Sequence, residues 1–218
     1  DLQRQQRWQV ALRLKESALP WLPQVKFNEL SIKGEADEGS ADVAEIDGQL
    51  YGGKLSGDAR LSWQGGWRMQ GRVAARQLEL QQAVPQSGLE GPMDGDASFQ
   101  LGGTTLLQAA SAYRLDGTFV VGKGVIGKMD MVETAAKHQS TSGGRTHFDE
   151  MNGGILVENG STHLRQLRIS SGAMNANGSV DVNGGGQLSG RLSVDLKMRP
   201  GSTPLTLSGT LDSPALRP

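Results

Sequence analysis

Leu188-Ser189-Gly190-Arg191-Leu192-Ser193-Val194-Asp195-Leu196-Lys197-Met198 alternates without a break: every even position is apolar or glycine, and every odd position is polar. Successive side chains of an extended strand point to opposite faces. The period of two therefore puts Leu188, Leu192, Val194 and Leu196 on one face and Ser189, Arg191, Asp195 and Lys197 on the other. The pattern carries outward in both directions. Val180 and Val182 precede it across Gly184-Gly185-Gly186, and Leu205, Leu207, Gly209 and Leu211 follow it across Pro200-Gly201. Consecutive one-sided strands joined by short glycine turns predict an antiparallel sheet with one wet face and one dry face.

The same rhythm fills the first half of the chain. Val25, Phe27, Leu30 and Ile32 open it, and Ile46, Leu50, Leu55, Ala59, Leu61 and Trp63 continue it. After Gly65-Gly66, Trp67, Met69, Gly71, Val73 and Ala75 alternate back. Residues 24–83 thus read as a β-meander. Residues 84–113 read as a long loop and connecting segment, carrying a strand at Ala97, Phe99 and Leu101 and one or two helical turns from Leu106 to Ala112. Residues 114–218 read as a second β region. Within it, Leu115 to Ile126 is expected to be a hairpin, Met129 to Lys137 a short helix and His138 to Thr146 a polar loop. Before all of this, residues 1–23 are expected to form an amphipathic helix. Trp8, Ala11, Leu12 and Leu19 recur at helical spacing, and Pro20 and Pro23 stop the run. The expected fold is mainly β: a long, curved antiparallel meander, groove-like or sandwich-like, with that N-terminal helix and one or two short helices.

Composition excludes several classes of function. With 22 basic and 23 acidic residues interspersed along the chain, no global field favours nucleic acid. The chain has no cysteine, hence no disulfide framework, thiol nucleophile or thiolate metal site. Glycine contributes 31 residues, about twice the average usage of roughly 7%, which suits a protein of tight turns and closely approaching strands. No apolar run approaches the ~18 residues that span a bilayer. Opening at Asp1 without an initiator methionine, the chain is expected to be a fragment or processed form, with any targeting or anchoring segment upstream.

Motifs that could signal chemistry fail on their context. Gly122-Lys123-Gly124-Val125-Ile126-Gly127 matches G-x-G-x-x-G. A dinucleotide site also needs a second parallel strand ending in an acid about 20 residues on, and here that region is the polar loop around Gln139 to Gly144. His138, His147 and His163 show no short ligand spacing, so no metal site is expected. Asp149 and Glu150, as neighbours on a strand, point to opposite faces and cannot share a proton. The Asn159-Gly160 and Asn177-Gly178 pairs suit hairpin turns at positive φ. Trp8, Trp21, Trp63 and Trp67 are read as packing the N-terminal helix onto the first hairpin. No catalytic residues and no cofactor are assigned.

A dry face needs a cover. Either a second layer closes it, or the sheet curves around a groove that holds apolar ligands, and periodicity leaves both open. Four stretches bear on the choice: Leu115 to Asp130, Gly143 to Gly153, Gly160 to Gly178, and Pro204-Leu-Thr-Leu-Ser-Gly-Thr-Leu-Asp-Ser-Pro214. In order and spacing they resemble the C-terminal region of the AsmA family of bacterial envelope proteins, and they cover about half of the chain. The resemblance implies a periplasmic module of a Gram-negative bacterium, part of an inner-membrane-anchored protein whose anchor lies upstream. It implies a long curved sheet, apolar inside, related to bridge-like lipid transport proteins and to outer-membrane lipid homeostasis, with no catalytic motif. Phospholipid or another acyl-chain lipid is then the expected partner, with envelope proteins as further partners. The lipid-contact candidates on the dry face are Phe119, Val121, Val180, Val182, Leu192, Val194, Leu196, Leu205 and Leu207. The competing expectation is an assembly factor of an envelope or secretion complex, acting through protein contacts at an open sheet edge.

Overall fold

The computed structural model of the protein describes residues 6–19 and 22–218. Strands β1 (Trp8–Leu19), β2 (Leu22–Ala36), β3 (Ser40–Leu50), β4 (Gly53–Ser62) and β5 (Trp67–Glu79) follow one another as an antiparallel meander. Helix α1 (Leu80–Ala83), a 3₁₀ turn at Pro85–Ser87 and the short β6 (Leu89–Glu90) interrupt it. Strand β7 (Pro92–Gly103) rejoins the sheet beside β5, and α2 (Leu106–Ser111) leads into β8 (Tyr113–Val121). The chain then leaves the sheet for β9 (Gly124–Gly127), α3 (Met131–Lys137) and β10 (Arg145–Phe148). It returns with β11 (Glu150–Glu158), paired to β8. The sheet is completed by β12 (Ser161–Ser170), β13 (Met174–Val182), β14 (Leu188–Leu196), β15 (Ser202–Gly209) and β16 (Pro214–Arg217). It has 13 strands and is open, with β1 and β16 as its edges; β10, β9 and β6 form a separate small sheet.

Register shows why the pattern of the sequence survives over so many strands. In β3, β5 and β12, two residues oppose one on the neighbouring strand: Ala44-Glu45 opposite Asp58, Arg76-Gln77 opposite Asp94, and Arg165-Gln166 opposite Ser179. Each bulge stretches the apolar spacing from two to three. Val43 and Ile46, Ala75 and Leu78, and Leu164 and Leu167 still share the apolar face. Gln77 and Gln166 take left-handed φ values of 56° and 49°, and the Gln77 N–H donates to Asp94 Oδ1 at 2.8 Å, so the unpaired backbone group is satisfied.

The four phenylalanines each lie over a glycine. Phe99, Phe119 and Phe148 are directly opposite Gly71, Gly153 and Gly124, and Phe27 covers Gly48 from the next strand. The missing Cβ is the floor on which each ring rests, a cross-strand packing unit that also pins register.

The apolar face is covered unevenly. Helix α3 packs on β14, β15 and β16, and the small sheet lies beside it. Met131, Ala135, Ile126 and Phe148 from this second layer join Val121, Met151, Ile169, Met174, Val194 and Leu205 in one closed core. Thr146, fully buried, ties β10 to the start of α3 within the second layer by accepting from the Met131 N–H and donating to the Met129 carbonyl, both at 2.9 Å. Over β1–β5 a smaller cluster of Phe27, Leu30, Leu50, Ala75 and Leu78 is built from strands alone. Leu30 is only 2% exposed, packed within this cluster of strand residues.

Four expectations are corrected. Residues 8–19 are a strand and not a helix: Val10, Leu12 and Leu14 pair with Gly34, Ile32 and Leu30, and the long pairing with β2 overrides a spacing compatible with either period. The rest of that reading, at 1–5 and at Pro20 and Trp21, lies outside the described residues. Leu115 to Ile126 is no hairpin, because β8 stays in the main sheet while β9 crosses to the small one. The strand expected at Ala97, Phe99 and Leu101 is longer than read, running from Pro92 to Gly103, and it pairs with both β5 and β8, so the sheet is continuous through the 84–113 segment. Finally, Asn159-Gly160 forms a turn at φ 50° and 77°, whereas Asn177-Gly178 lies inside β13. There a Cβ would overlap the Arg191 carbonyl oxygen of β14.

Candidate functional site

Following register from strand to strand traces one unbroken row across the whole sheet. It runs Leu12, Ile32, Ile46, Gly57, Val73, Ala97, Gly117, Ile155, Leu164, Val180, Gly190, Leu207 and Leu216, and every member is apolar or glycine. A parallel row beside it, from Val10 through Val43, Ala59, Phe99 and Leu115 to Val182 and Leu188, contains a single polar residue, Thr162. Twelve interstrand steps at roughly 4.8 Å give the stripe a length of about 58 Å. It is an apolar track running across the strands.

Its cover decides where it can act. At β14 to β16 the track lies under α3, and Val180 of the adjoining β13, Leu207 and Leu216 are buried in the same core. From β1 to β12 it is half-buried or exposed. Trp8, Val10 and Leu12, the face of the edge strand, are 48%, 47% and 44% exposed. The track is therefore closed at its C-terminal end and open toward β1.

The residues read from sequence as lipid contacts fall mostly in the closed part. Phe119, Val121, Val180, Leu192, Val194, Leu205 and Leu207 are core, and Val182 and Leu196 are half-buried. They do share one face, as the alternation indicates. The accessible members of that face are different residues, among them Leu12, Ile32, Met69, Phe99 and Leu101. The local signal was equally strong in both halves. What distinguishes them is the destination of α3 and the small sheet, which local pattern does not carry.

The opposite face is a lattice of cross-strand ion pairs: Arg60–Asp42 at 2.8 Å, Arg76–Asp96 at 3.0 Å and Arg114–Glu158 at 2.8 Å. A trough of about 650 Å³ lies among them, lined in part by Asp42, Arg60, Arg72, Gln100 and Asp116. On the same face Asp181 Oδ1 accepts from His163 Nδ1 at 2.6 Å and from Arg165 at 2.9 Å. The His163 and Arg165 hydrogen bonds hold its carboxyl below the usual carboxylate range against some desolvation. Both donors come from β12 and the acceptor from β13, so the cluster laces adjacent strands.

The G-x-G-x-x-G stretch is explained by packing. A Cβ on Gly124 would collide with the Glu90 carbonyl and the Phe148 ring, and one on Gly127 would come within 2.9 Å of the Gly88 carbonyl oxygen. Among the described residues, no group of three or more His, Cys, Asp or Glu is arranged to hold a metal. No helix among them is long and apolar enough to cross a membrane. No family model, curated protein or solved structure matches the chain.

Proposed function

We propose that the protein is a non-enzymatic lipid-handling module, AsmA-like and periplasmic, that holds phospholipid acyl chains along the open part of its apolar track in the service of outer-membrane lipid homeostasis. The observation that carries this reading is the uninterrupted apolar row combined with its one-ended cover. Acyl chains need no directional contacts, and burial on such a surface is worth about 0.8 kcal/mol per CH₂. The resemblance of the four C-terminal stretches to the AsmA family supports the same reading. The experiment is native mass spectrometry with organic extraction of protein purified gently from a bacterial envelope. Phospholipid at a defined ratio is the expected result, lost in Met69→Asp; a lipid-free wild-type mass overturns it.

A second reading, a structural or assembly factor, is favoured by the two edges. The β16 edge is short and bridged by Thr141, whereas β1 presents a rim of twelve residues that no other described strand pairs. Capture of one stoichiometric envelope protein by lipid-free protein would favour it.

A further inference from the structure

The β4–β5 and β7–β8 connections lie side by side at one end of the sheet, and a Cβ on Gly66 in the first would come within 3.2 Å of the Gly103 carbonyl oxygen in the second. The β7–β8 connection is α2. Thr105 caps it by accepting from the Gln108 N–H at 3.2 Å, and Ala109, fully buried, seats it against the end of β7 at Gly103. That anchoring turns the other side outward. Leu107 is 81% exposed and Leu106 42%. Trp67 pairs with Gly103, on which α2 sits, and its ring centroid lies 6.2 Å from that of Trp63, whose indole N–H is satisfied by the Glu38 carbonyl at 2.8 Å. Tyr113 closes the group. In a chain where 21% of residues are charged, none is charged from Gly102 to Tyr113 or from Trp63 to Trp67.

Other exposed apolar side chains differ. Met198 stands between Lys197 and Arg199, Val84 and Val120 stand alone, and Trp8, Val10 and Leu12 form the β1 end of the apolar face. The tip carries two adjacent exposed leucines, with indoles and a phenol at the neighbouring strand ends, and charge begins at Arg68 and Arg114, directly after Trp67 and Tyr113. That is the layering of a bilayer interface, where aliphatic side chains enter the acyl boundary and Trp and Tyr sit at headgroup level. A protein partner would have to bury the leucines in a pocket of its own. A bilayer needs only the chemistry present, and Arg60, Arg68 and Arg114, which line a hollow together with Gly102, Ala112 and Tyr113, leave the surface compatible with zwitterionic and anionic headgroups alike.

We infer that the α2 tip docks the protein onto the surface of a phospholipid bilayer. Half-buried Met69, Leu101 and Tyr113 form a register row at the tip end of the apolar face, with the Gly71–Phe99–Leu115 row between it and the track, so docking sets a lateral entrance for acyl chains over that face. The entrance rests on the proposed function; the docking does not.

The test is co-flotation of the 218-residue chain with phosphatidylcholine vesicles, with and without phosphatidylglycerol and at low and high salt. Wild type is expected to float in all four conditions, and Leu107→Asp to partition about tenfold more weakly. Circular dichroism and thermal unfolding of Leu107→Asp should match wild type, because the side chain is already in water. No flotation of wild type, flotation only with phosphatidylglycerol at low salt, or equal flotation of Leu107→Asp overturns the inference. So does light scattering showing that wild type self-associates through Leu107. Met69→Asp separates the two proposals: it should still float while losing lipid on extraction. If Met69→Asp and wild type both float and neither carries lipid, the docking stands and the acyl-chain track fails.

Discussion

At the scale of single residues, the same substitution means opposite things on the two parts of one face. Val194 is completely buried beneath α3, so Val194→Asp places a carboxylate in a closed core, at a cost of several kcal/mol. Loss of the cooperative unfolding transition is expected, checked by denaturant titration. Met69, half-buried on the open part of the apolar face beside the track, can keep an aspartate in contact with water, and Met69→Asp should unfold within about 1 kcal/mol of wild type. Asp181 gives a pH signature. Its carboxyl titrates lower in the folded protein because His163 and Arg165 donate to it. Its contribution is complete above the unfolded carboxylate range near about 4 and disappears as pH falls through the folded value. Its side chain is 40% exposed, so solvent screening limits that contribution to under about 1 kcal/mol. Asp181→Asn should be less stable than wild type at neutral pH, with the two denaturation midpoints converging at strongly acidic pH.

At the scale of elements, alternation made most strands legible. The short helices at Leu106–Ser111 and Met131–Lys137 were legible too, the latter with Asp130 capping Glu133 at 2.9 Å. The misreadings have identifiable physical causes. Apolar residues in residues 8–19 satisfy a helical and an extended period equally, and only pairing with β2 selects one. In 115–127 a strand, a glycine and a strand look like a hairpin, yet the second strand meets β10, twenty residues on. The Asn177-Gly178 pair suits a hairpin turn, whereas Gly178 lies within β13 and serves close approach to β14. Gly178→Ala should cost about 1–3 kcal/mol by forcing β13 and β14 apart, measurable as a lowered melting temperature without loss of sheet signal.

At the scale of the molecule, stability should follow cover. The β12–β15 region lies between the polar surface and the α3 layer, while β1 is an edge with an exposed apolar face. Native-state hydrogen exchange should therefore be slowest in β13 and β14 and fastest, among the strands, in β1. Uniform protection from β1 to β16 would contradict an open track.

The sequence by itself determined a one-faced antiparallel meander and which residues share its apolar face, because strand alternation is a local property that each residue expresses with its neighbours. Only the tertiary structure decided which part of that face is core and which is open. The answer depends on where β9, α3 and β10 fold back. Their destination is the pairing and burial of residues far apart in the chain, such as Met131 against the strands ending at Leu216.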